Sequence, residues 1–396
     1  MQIDCPTVLF GAFDRHNFGD LLLAHVTARF LAHRRLAYAG LIQRDLTGHG
    51  GHRVQAITRL ASAVGDGAVD ILHVGGEILT CSAWEAAVML LPTDAARSVV
   101  AQLDAEPHER MAWAHTMLGL PDLAPYLLTR RLFANPRHVT YQAVGGFELD
   151  RIDPAMRDEV IAKLGSATRI SVRDRQTQAL LSAWGIATHL APDPAVMVAE
   201  FFGARIDARC RRGKLAALLS AFPRGYLAMQ FAADFGDDRT LTQLAAQIQR
   251  IAQSTGLGVV LFRAGAAPWH DDLTCYRRLM ALVSGASIAL STSLNLWDIC
   301  AIISRSRGFV GSSLHGSIVA GAYALPCLGL LRPGQLPSAS KQASFWSSWS
   351  TTGLPETVPI ETLADSVHQA MATDPAERAK LARVLVNACR ASVESL

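Results

Sequence analysis

The sequence predicts an α/β protein with two doubly wound parallel-sheet domains, and three observations support this fold class. Short apolar runs alternate with helical patterns along most of the 396 residues, which is the rhythm of parallel βαβ units. Two of the apolar runs end in paired glycines, Gly75-Gly76 and Gly145-Gly146. A polar, arginine-rich stretch at 203–213 interrupts the series once. Because this length exceeds one ordinary core, we expect domains at 1–198 and 215–396 with a linker at 199–214.

The apolar runs and helical patterns predict the strands and helices of the first domain. The predicted strands are residues 7–10, 36–42, 69–74, 139–144, 169–172 and 188–190. The predicted helices are residues 20–32, 53–64 and 175–184, with a further helical region at 83–132.

The second domain repeats the alternation. Its predicted strands are residues 225–230, 258–262, 287–290, 309–310 and 328–330, and its predicted helices are residues 241–255, 270–285, 296–304 and 316–324. The serine-rich segment 338–350 is predicted to be an active-site loop. Two such domains would place a cleft between them, with ligands at the carboxyl ends of the strands.

Composition excludes several classes of protein. Half of the residues are hydrophobic and 18% are charged, which favours folded cores over disorder. The net charge of +3 is spread along the chain, so we expect no nucleic-acid partner. The local cluster Arg211-Arg212-Gly213-Lys214 fits a solvated turn or linker, with an anion site as the alternative.

Cysteine usage and the first residues indicate the compartment. The seven cysteines lie far apart with no Cys-x-x-Cys pair, as suits a reducing environment. An acidic residue and a proline stand where an export signal would carry basic and apolar residues. We therefore expect a cytoplasmic protein. The apolar stretch 308–331 is long enough for a membrane span, but glycines and Pro326 divide it into strand, turn, helix and strand.

The segment Gly311-Ser312-Ser313-Leu314-His315-Gly316 is the sharpest chemical signal. It places a histidine where a buried strand passes into a helix, and histidine is the side chain suited to proton transfer near neutral pH. The helix N-terminus and the two hydroxyls suit a phosphate. A structural histidine is the alternative.

Three further segments are candidates for ligand contact. The turn from Gly11 to Asp20 joins the first strand to the first helix, and it is either a capped turn through Asn17 or an acceptor contact. Arg173 ends a strand and could hold a carboxylate or phosphate, against the alternative of a surface salt bridge. His270-Asp271-Asp272 suits capping or acceptor orientation better than metal binding, because adjacent residues on one turn rarely converge on one ion. We expect no metal and no cofactor.

In this order along the chain, the motifs resemble those of the polysaccharide pyruvyl transferase family. The resemblance spans most of the chain, and its motifs are Asn17-x-Gly19-Asp20, Val74-Gly75-Gly76-Glu77, Gln142-Ala143-Val144-Gly145, Ser171-Val172-Arg173-Asp174, Gly185-Ile186, Asp193-Pro194, Ser313-Leu314-His315-Gly316, Ala324-Leu325-Pro326 and Lys341. The resemblance implies two Rossmann-like domains in a glycosyltransferase-B-like arrangement. It also implies transfer of a pyruvyl group from phosphoenolpyruvate, as co-substrate, to hydroxyls of a saccharide or lipid-linked saccharide.

The resemblance assigns roles to residues. The implied catalytic residues are His315, as general acid or base, and Arg173. The donor-binding residues are expected to be Arg173, Ser312, Ser313, Leu314, His315, Gly316, Lys341 and Arg263. The acceptor-binding residues are expected to be Asn17, Gly19, Asp20, Gly75, Gly76, Glu77 and His270. Peripheral membrane association and the oligomeric state stay open.

Two differences from the family's motifs leave rival functions open. Many family members have arginine where this chain has Ser313, and the family's glycine triplet is reduced to Gly75-Gly76-Glu77. One rival is a nucleotide-sugar-dependent glycosyltransferase of the same fold, which would bind a uridine or guanosine diphosphate sugar. The other is a catalytically silent family member that acts as a binding or scaffold protein.

Overall fold

The computed structural model describes residues 5–337, 340–350 and 356–393. The chain divides into two compact units, with the division between Pro194 and Ala195. Each unit is built on a largely parallel β-sheet with helices between successive strands, so the predicted α/β fold class is confirmed.

The first unit contains an eight-stranded sheet. Its strands are β1 (Thr7–Phe10), β2 (Leu36–Gly40), β3 (Arg44–Asp45), β4 (Arg53–Ala56), β5 (Ala68–His73), β6 (Asn135–Val144), β7 (Arg169–Val172) and β8 (His189–Leu190). Its helices are α1 (Phe18–Phe30), α2 (Ile57–Val64), α3 (Ala83–Met89), α4 (Thr93–Leu103), α5 (Pro107–Leu118), α6 (Pro154–Gly165) and α7 (Arg175–Ala183). The strand order is β3-β4-β2-β1-β5-β6-β7-β8, and the β3–β4 pair is antiparallel. The order reverses at β1, so the ends of β1 and β5 flank the topological switch point.

The second unit contains a six-stranded parallel sheet. Its strands are β9 (Tyr226–Gln230), β10 (Gly258–Leu261), β11 (Ile288–Leu290), β12 (Gly308–Gly311), β13 (Cys327–Leu330) and β14 (Glu356–Val358). Its helices are α8 (Val198–Cys210), α9 (Gly213–Ser220), α10 (Asp238–Thr255), α11 (Leu273–Leu282), α12 (Leu296–Ser304), α13 (Leu314–Ala322), α14 (Lys341–Trp349), α15 (Leu363–Ala372) and α16 (Pro375–Val393). The order β11-β10-β9-β12-β13-β14 is that of a Rossmann fold, with the switch point between β9 and β12.

Helix α10 shows how the sequence builds the core of the second unit. Its buried face consists of Leu241, Leu244, Ile248 and Ile251, which follow one another at intervals of three or four residues. This spacing places them on one side of a helix, where each buried side chain contributes roughly 1.5–3 kcal/mol. Asp237 caps the first turn by accepting a hydrogen bond of 2.9 Å from the Thr240 amide.

The segment 199–214, expected as a linker, lies in the second unit and consists of most of helix α8 and the beginning of α9. Two of its arginines contact α12. Arg209 pairs with Asp298 at 2.5 Å, and the Arg205 guanidinium lies 4.0 Å from the centre of the Trp297 ring. Part of the arginine-rich composition therefore belongs to a helix face that pairs with a neighbouring helix, not to a linker.

Three other segments also differ from the sequence prediction. Residues 341–349 of the expected serine-rich loop form helix α14, while 338 and 339 lie outside the described residues. Residues 53–56, expected as the start of a helix, form β4. The helix expected at 270–285 is shorter, because Asp272 caps α11 and Leu273 is its first residue. In the described ranges, no helix has the length and hydropathy that crossing a membrane requires.

Candidate active site

The turn around His315 joins β12 to α13 at the switch point of the second sheet. Ser313 is the N-cap of α13, and its hydroxyl accepts a hydrogen bond of 3.1 Å from the Gly316 amide. His315 therefore lies in the first helical turn, where the partial positive charge of the helix dipole is concentrated. Its side chain is nearly buried, with 9% of its surface exposed.

Two glycines allow this turn to form. A Cβ atom at Gly311 would collide with the carbonyl oxygen of Gln230 on the neighbouring strand, and one at Gly316 would collide with the ring of Phe309. Any other side chain would push the turn away from β9. The glycines of the motif therefore bring His315 close to the end of the central strand.

Gln230 connects the His315 turn to the loop that follows β10. Its side-chain oxygen accepts a hydrogen bond of 2.9 Å from the Ser313 amide, and its side-chain nitrogen donates one of 2.8 Å to Asp271. Asp271 also accepts a hydrogen bond of 2.5 Å from the Ala264 amide. This network fixes two strand-end loops to one another at the candidate site.

Burial raises the pKa of the Asp271 carboxyl to about 7, although the hydrogen bonds from Ala264, Gln230 and Gly265 act in the opposite direction. The carboxyl therefore changes charge close to neutral pH, and its charge is linked through Gln230 to the backbone of the His315 turn.

Arg263 supplies positive charge at the end of β10. It is half-buried, and its buried Nε makes no hydrogen bond within the described part of the chain. Burial lowers the pKa of this arginine, and the nearby Asp271 opposes that shift. A desolvated guanidinium with an unsatisfied nitrogen is a suitable group to receive an anion.

Helix α14 places Lys341 beside the same turn. The Gln342 side chain donates hydrogen bonds of 3.0 Å to the Gly311 carbonyl and 3.1 Å to the Ser313 carbonyl. Lys341, one residue earlier, is exposed. The Ser312 hydroxyl accepts a hydrogen bond of 3.1 Å from the Ala232 amide. Ser312 and Ser313 thus both hold backbone in place, and each hydroxyl has a proton to donate.

The residues of His270-Asp271-Asp272 have separate tasks. The His270 carbonyl accepts a hydrogen bond of 2.9 Å from the Ala233 amide, and its ring packs against Gly265. Asp272 caps α11 by accepting a hydrogen bond of 2.7 Å from the Thr274 amide. Across the described residues, no group of three or more histidine, cysteine or acidic side chains could hold a metal ion.

Arg173, predicted to bind the donor, has two acidic partners within the first unit. In the first unit Arg173 is 3% exposed, and it pairs with Glu77 at 2.5 Å and with the fully buried Asp193 at 3.2 Å. Burial lowers the pKa of Arg173, but Glu77 and Asp193 outweigh this effect and the pKa is raised. Arg173 thus holds two carboxylates in the first unit, and its contact with the donor stays a prediction.

Glu77 and its neighbouring glycines belong to the same network. One Glu77 oxygen binds Arg173, and the other accepts a hydrogen bond of 2.8 Å from the Phe147 amide. Gly75 and Gly76 have φ angles of 107° and 89°, which other residues rarely adopt. A Cβ atom at Gly145 would lie 2.6 Å from the Arg173 guanidinium. Gly145 thus makes room for the ion pair, and Gly75 and Gly76 allow the backbone conformation of the strand-end turn before Glu77.

The N-terminal turn is capped as the structural alternative predicts. The Asn17 side chain accepts a hydrogen bond of 3.0 Å from the Gly19 amide at the start of α1. Asp20, in the first turn of this helix, is 8% exposed and lies beside Gly76, where a Cβ atom would be 3.1 Å from its carboxylate. These residues share the carboxyl edge of the first sheet with Arg173.

Sequence reasoning missed the roles of Gln230 and Gln342 and assigned Asp271 only to capping or acceptor orientation. A signal for Gln230 exists, because it is a polar residue at the end of the otherwise apolar run 226–230. No local pattern marks Gln342, which reaches the turn from 31 residues away in sequence.

The sequence and the fold can be compared with known proteins. Residues 145–332 match the family model of the polysaccharide pyruvyl transferases. The match covers just under half of the chain and includes Arg173, Arg263 and His315, so the resemblance predicted from the motifs is confirmed. It supports a transferase of polysaccharide biosynthesis. No curated protein matches the sequence.

Solved structures of two-domain sugar-nucleotide enzymes share the fold. The UDP-GlcNAc 2-epimerase of Methanocaldococcus jannaschii has a TM-score of 0.55 and 9% identity, and the alignment covers 97% of this chain and 99% of that one. A second structure of this epimerase, in complex with UDP-GlcNAc and UDP, has a TM-score of 0.52 and 9% identity over 93% of each chain. At this identity the likeness shows the fold, and it confirms the predicted glycosyltransferase-B-like class of two Rossmann-like domains.

Proposed function

We propose that this chain is a pyruvyl transferase that moves the pyruvyl group of phosphoenolpyruvate to hydroxyls of a saccharide. The proposal rests on one observation: His315 lies inside the matched range, in the first turn of α13 at the switch point, on the same sheet edge as Arg263. Parallel α/β sheets bind ligands at this place.

The reaction needs proton transfer and anion binding. A proton added to C3 of the enolpyruvyl group makes C2 electrophilic, and two acceptor hydroxyl oxygens then bond to C2 while its bond to the phosphate oxygen breaks. Of the two hydroxyl protons released, one balances the proton on C3 and the other leaves with inorganic phosphate. The product is a cyclic pyruvate ketal, and no oxidant or reductant is required.

In the second unit, different residues serve proton transfer and anion binding. His315 acts as the general acid or base. Arg263, Lys341 and the N-terminus of α13 bind the carboxylate and phosphate of the donor, with hydrogen bonds from Ser312 and Ser313. In this proposal Arg263 and Lys341 supply the positive charge that many family members draw from the arginine replaced here by Ser313.

The acceptor side follows from the sequence prediction. In the second unit, the proposed acceptor contact is the loop that carries His270. In the first unit, the residues predicted to contact an acceptor lie at the strand ends of its own sheet and are Asn17, Gly19, Asp20, Gly75, Gly76 and Glu77. In the first unit the glycines and backbone amides are better suited to contact a sugar than Glu77 is, because Glu77 binds Arg173.

Calorimetric titration of the purified protein with phosphoenolpyruvate tests the donor. We expect saturable binding and a rise in the melting temperature, both weakened in Arg263→Ala. The titration is repeated with UDP-GlcNAc and a guanosine diphosphate sugar, because the rival glycosyltransferase function predicts that these bind instead. Binding of a nucleotide sugar without binding of phosphoenolpyruvate would contradict the proposal.

His315→Ala tests the catalytic role. We expect turnover, measured as phosphate release with transfer of one pyruvyl group to the acceptor, to fall by roughly 10²–10⁴-fold. The affinity for phosphoenolpyruvate should change little, because the charged donor contacts lie elsewhere. His368→Ala, which removes an exposed histidine on α15, is the matched control and should leave both quantities unchanged. Wild-type turnover in His315→Ala would show that His315 is not the catalytic acid or base. No turnover in the wild type, with biological activity intact in His315→Ala, would favour the silent binding or scaffold protein.

A further inference from the structure

The loop between β10 and α11 exposes an aromatic side chain at the candidate site. Trp269 is 50% exposed, whereas Trp84, Trp297 and Trp346 are 2–6% exposed. Large apolar side chains are normally covered when a fold can cover them. This indole is the feature of the loop that core packing does not explain.

The backbone at Trp269 is strained. The His270 amide donates a hydrogen bond of 3.1 Å to the Ala267 carbonyl, which closes a four-residue turn. Pro268 fixes the second position of this turn, and Trp269 occupies the third with a φ angle of +64°. This combination is typical of a type II turn, whose third position strongly favours glycine. A tryptophan is therefore held where glycine would be more stable, as occurs where function requires a side chain.

Hydrogen bonds on both sides keep the turn in place. Next to Trp269, the His270 carbonyl accepts the Ala233 amide at 2.9 Å, and the Asp271 amide donates to the Gly265 carbonyl at 3.4 Å. The Asp271 carboxylate is linked through Gln230 to Ser313. The indole thus stands on the same carboxyl edge of the sheet as the His315 turn, on a loop fixed to that turn.

We propose that Trp269 is a stacking platform for a pyranose ring of the saccharide acceptor. The flat face of an exposed indole suits the apolar C–H face of a sugar, and it offers large contact area with little loss of side-chain freedom. This inference rests on the proposed transferase function and names the residue that selects its substrate class.

Two substitutions separate binding from a structural role. Trp269→Gly removes the indole and supplies the residue that the turn prefers, so it should raise the melting temperature by about 2–4 °C while saccharide affinity falls at least tenfold. Trp269→Phe keeps an aromatic face and should retain most of the affinity. A tryptophan that only stabilised the fold would lower the melting temperature when replaced by glycine.

Saturation-transfer NMR with the methyl glycosides of galactose, glucose and N-acetylmannosamine provides the binding measurement, with UDP as the competing probe. A sugar signal that is strong in the wild type, retained in Trp269→Phe and lost in Trp269→Gly supports the inference. Equal sugar signals in wild type and Trp269→Gly, no sugar signal in the wild type, or a Trp269-dependent signal from UDP alone would each overturn it.

The same variants distinguish this inference from the proposed function. Phosphoenolpyruvate-dependent phosphate release in Trp269→Gly should show a raised KM for the saccharide with little change in kcat, because stacking contributes to binding before and during the reaction alike. Wild-type protein that binds the methyl glycosides through Trp269 but never releases phosphate from phosphoenolpyruvate would refute the transferase function and leave the stacking site standing.

Discussion

Asp271 is a single residue whose charge state is coupled to the geometry of the candidate site. When ionised, it accepts hydrogen bonds from the Ala264 amide and from Gln230. Gln230 must then turn its oxygen toward the Ser313 amide, as observed. A protonated Asp271 carries a donor of its own, which removes this preference. The ionised carboxylate therefore favours the observed form of the turn before His315.

The raised pKa of Asp271 predicts how the free energy of unfolding changes with pH. Burial raises the pKa to about 7 from the usual 3.8, so between these values the folded state binds a proton that the unfolded state has lost. The contribution of this group to the free energy of unfolding therefore falls as pH rises from about 4 to 7, by at most about 1.4 kcal/mol per pH unit.

Thermal melts of the wild type and Asp271→Asn at pH 5, 6, 7 and 8 check this prediction. Asparagine cannot ionise, so the melting temperature of the wild type should fall relative to that of the variant between pH 5 and 7. The difference should then level off near pH 8. Parallel melting profiles across the whole range would show that Asp271 does not carry this pH dependence.

The sequence predicted some residues of the site but not the links between them. His315 stands out because glycines and serines surround it in one short segment. Gln230 is 83 residues from Ser313 along the chain, and only the adjacency of β9 and β12 brings the two together. Contacts of this kind depend on strand order, which a single sequence does not specify.

Among the elements, α8 and α14 show where composition misleads. Both segments are rich in residues typical of loops or linkers, yet each is a helix that packs against another element. For α14 the reason is that Trp346 and Gln342 face inward: the Trp346 ring nitrogen donates to Ser317 at 3.1 Å, and Gln342 donates to the His315 turn. The three serines of this helix, at positions 344, 347 and 348, give the segment the composition of a loop and hide its helical period.

The ion pairs of Arg173 tie together the ends of several elements in the first unit. Arg173 follows β7, Glu77 follows β5 and Asp193 follows β8. Removing the arginine would leave two carboxylates close together, one of them fully buried. We therefore expect Arg173→Ala to destabilise the first unit by about 3–5 kcal/mol, as measured by urea denaturation.

A matched control is Arg131→Ala, which removes an exposed arginine of the same unit and should shift the transition by less than about 0.5 kcal/mol. If Arg173→Ala unfolds at the same urea concentration as the wild type but loses affinity for phosphoenolpyruvate, then Arg173 contacts the donor and its structural assignment is wrong.

For the whole molecule, alternation of strands and helices was sufficient to predict two doubly wound sheets. Each strand–helix–strand unit is local in sequence, and right-handed crossovers restrict how it can pack. The sequence placed the end of the first domain near residue 198, whereas the two units divide after Pro194. Helix α8, which belongs to the second unit, begins only four residues after Pro194. A domain boundary without a polar linker leaves no compositional mark.

The division into two units also predicts which backbone segments the donor protects from hydrogen exchange. If Arg263, Lys341 and the His315 turn bind phosphoenolpyruvate, hydrogen exchange should slow in peptides covering 262–272 and 311–316 when the donor is added. Peptides covering 74–79 and 171–174 in the first unit should exchange at an unchanged rate, because Arg173 is already paired there. His315→Ala should keep this pattern, since it is expected to bind the donor without turning it over. Protection confined to 74–79 and 171–174 would instead move the donor to the first unit and restore Arg173 as its ligand.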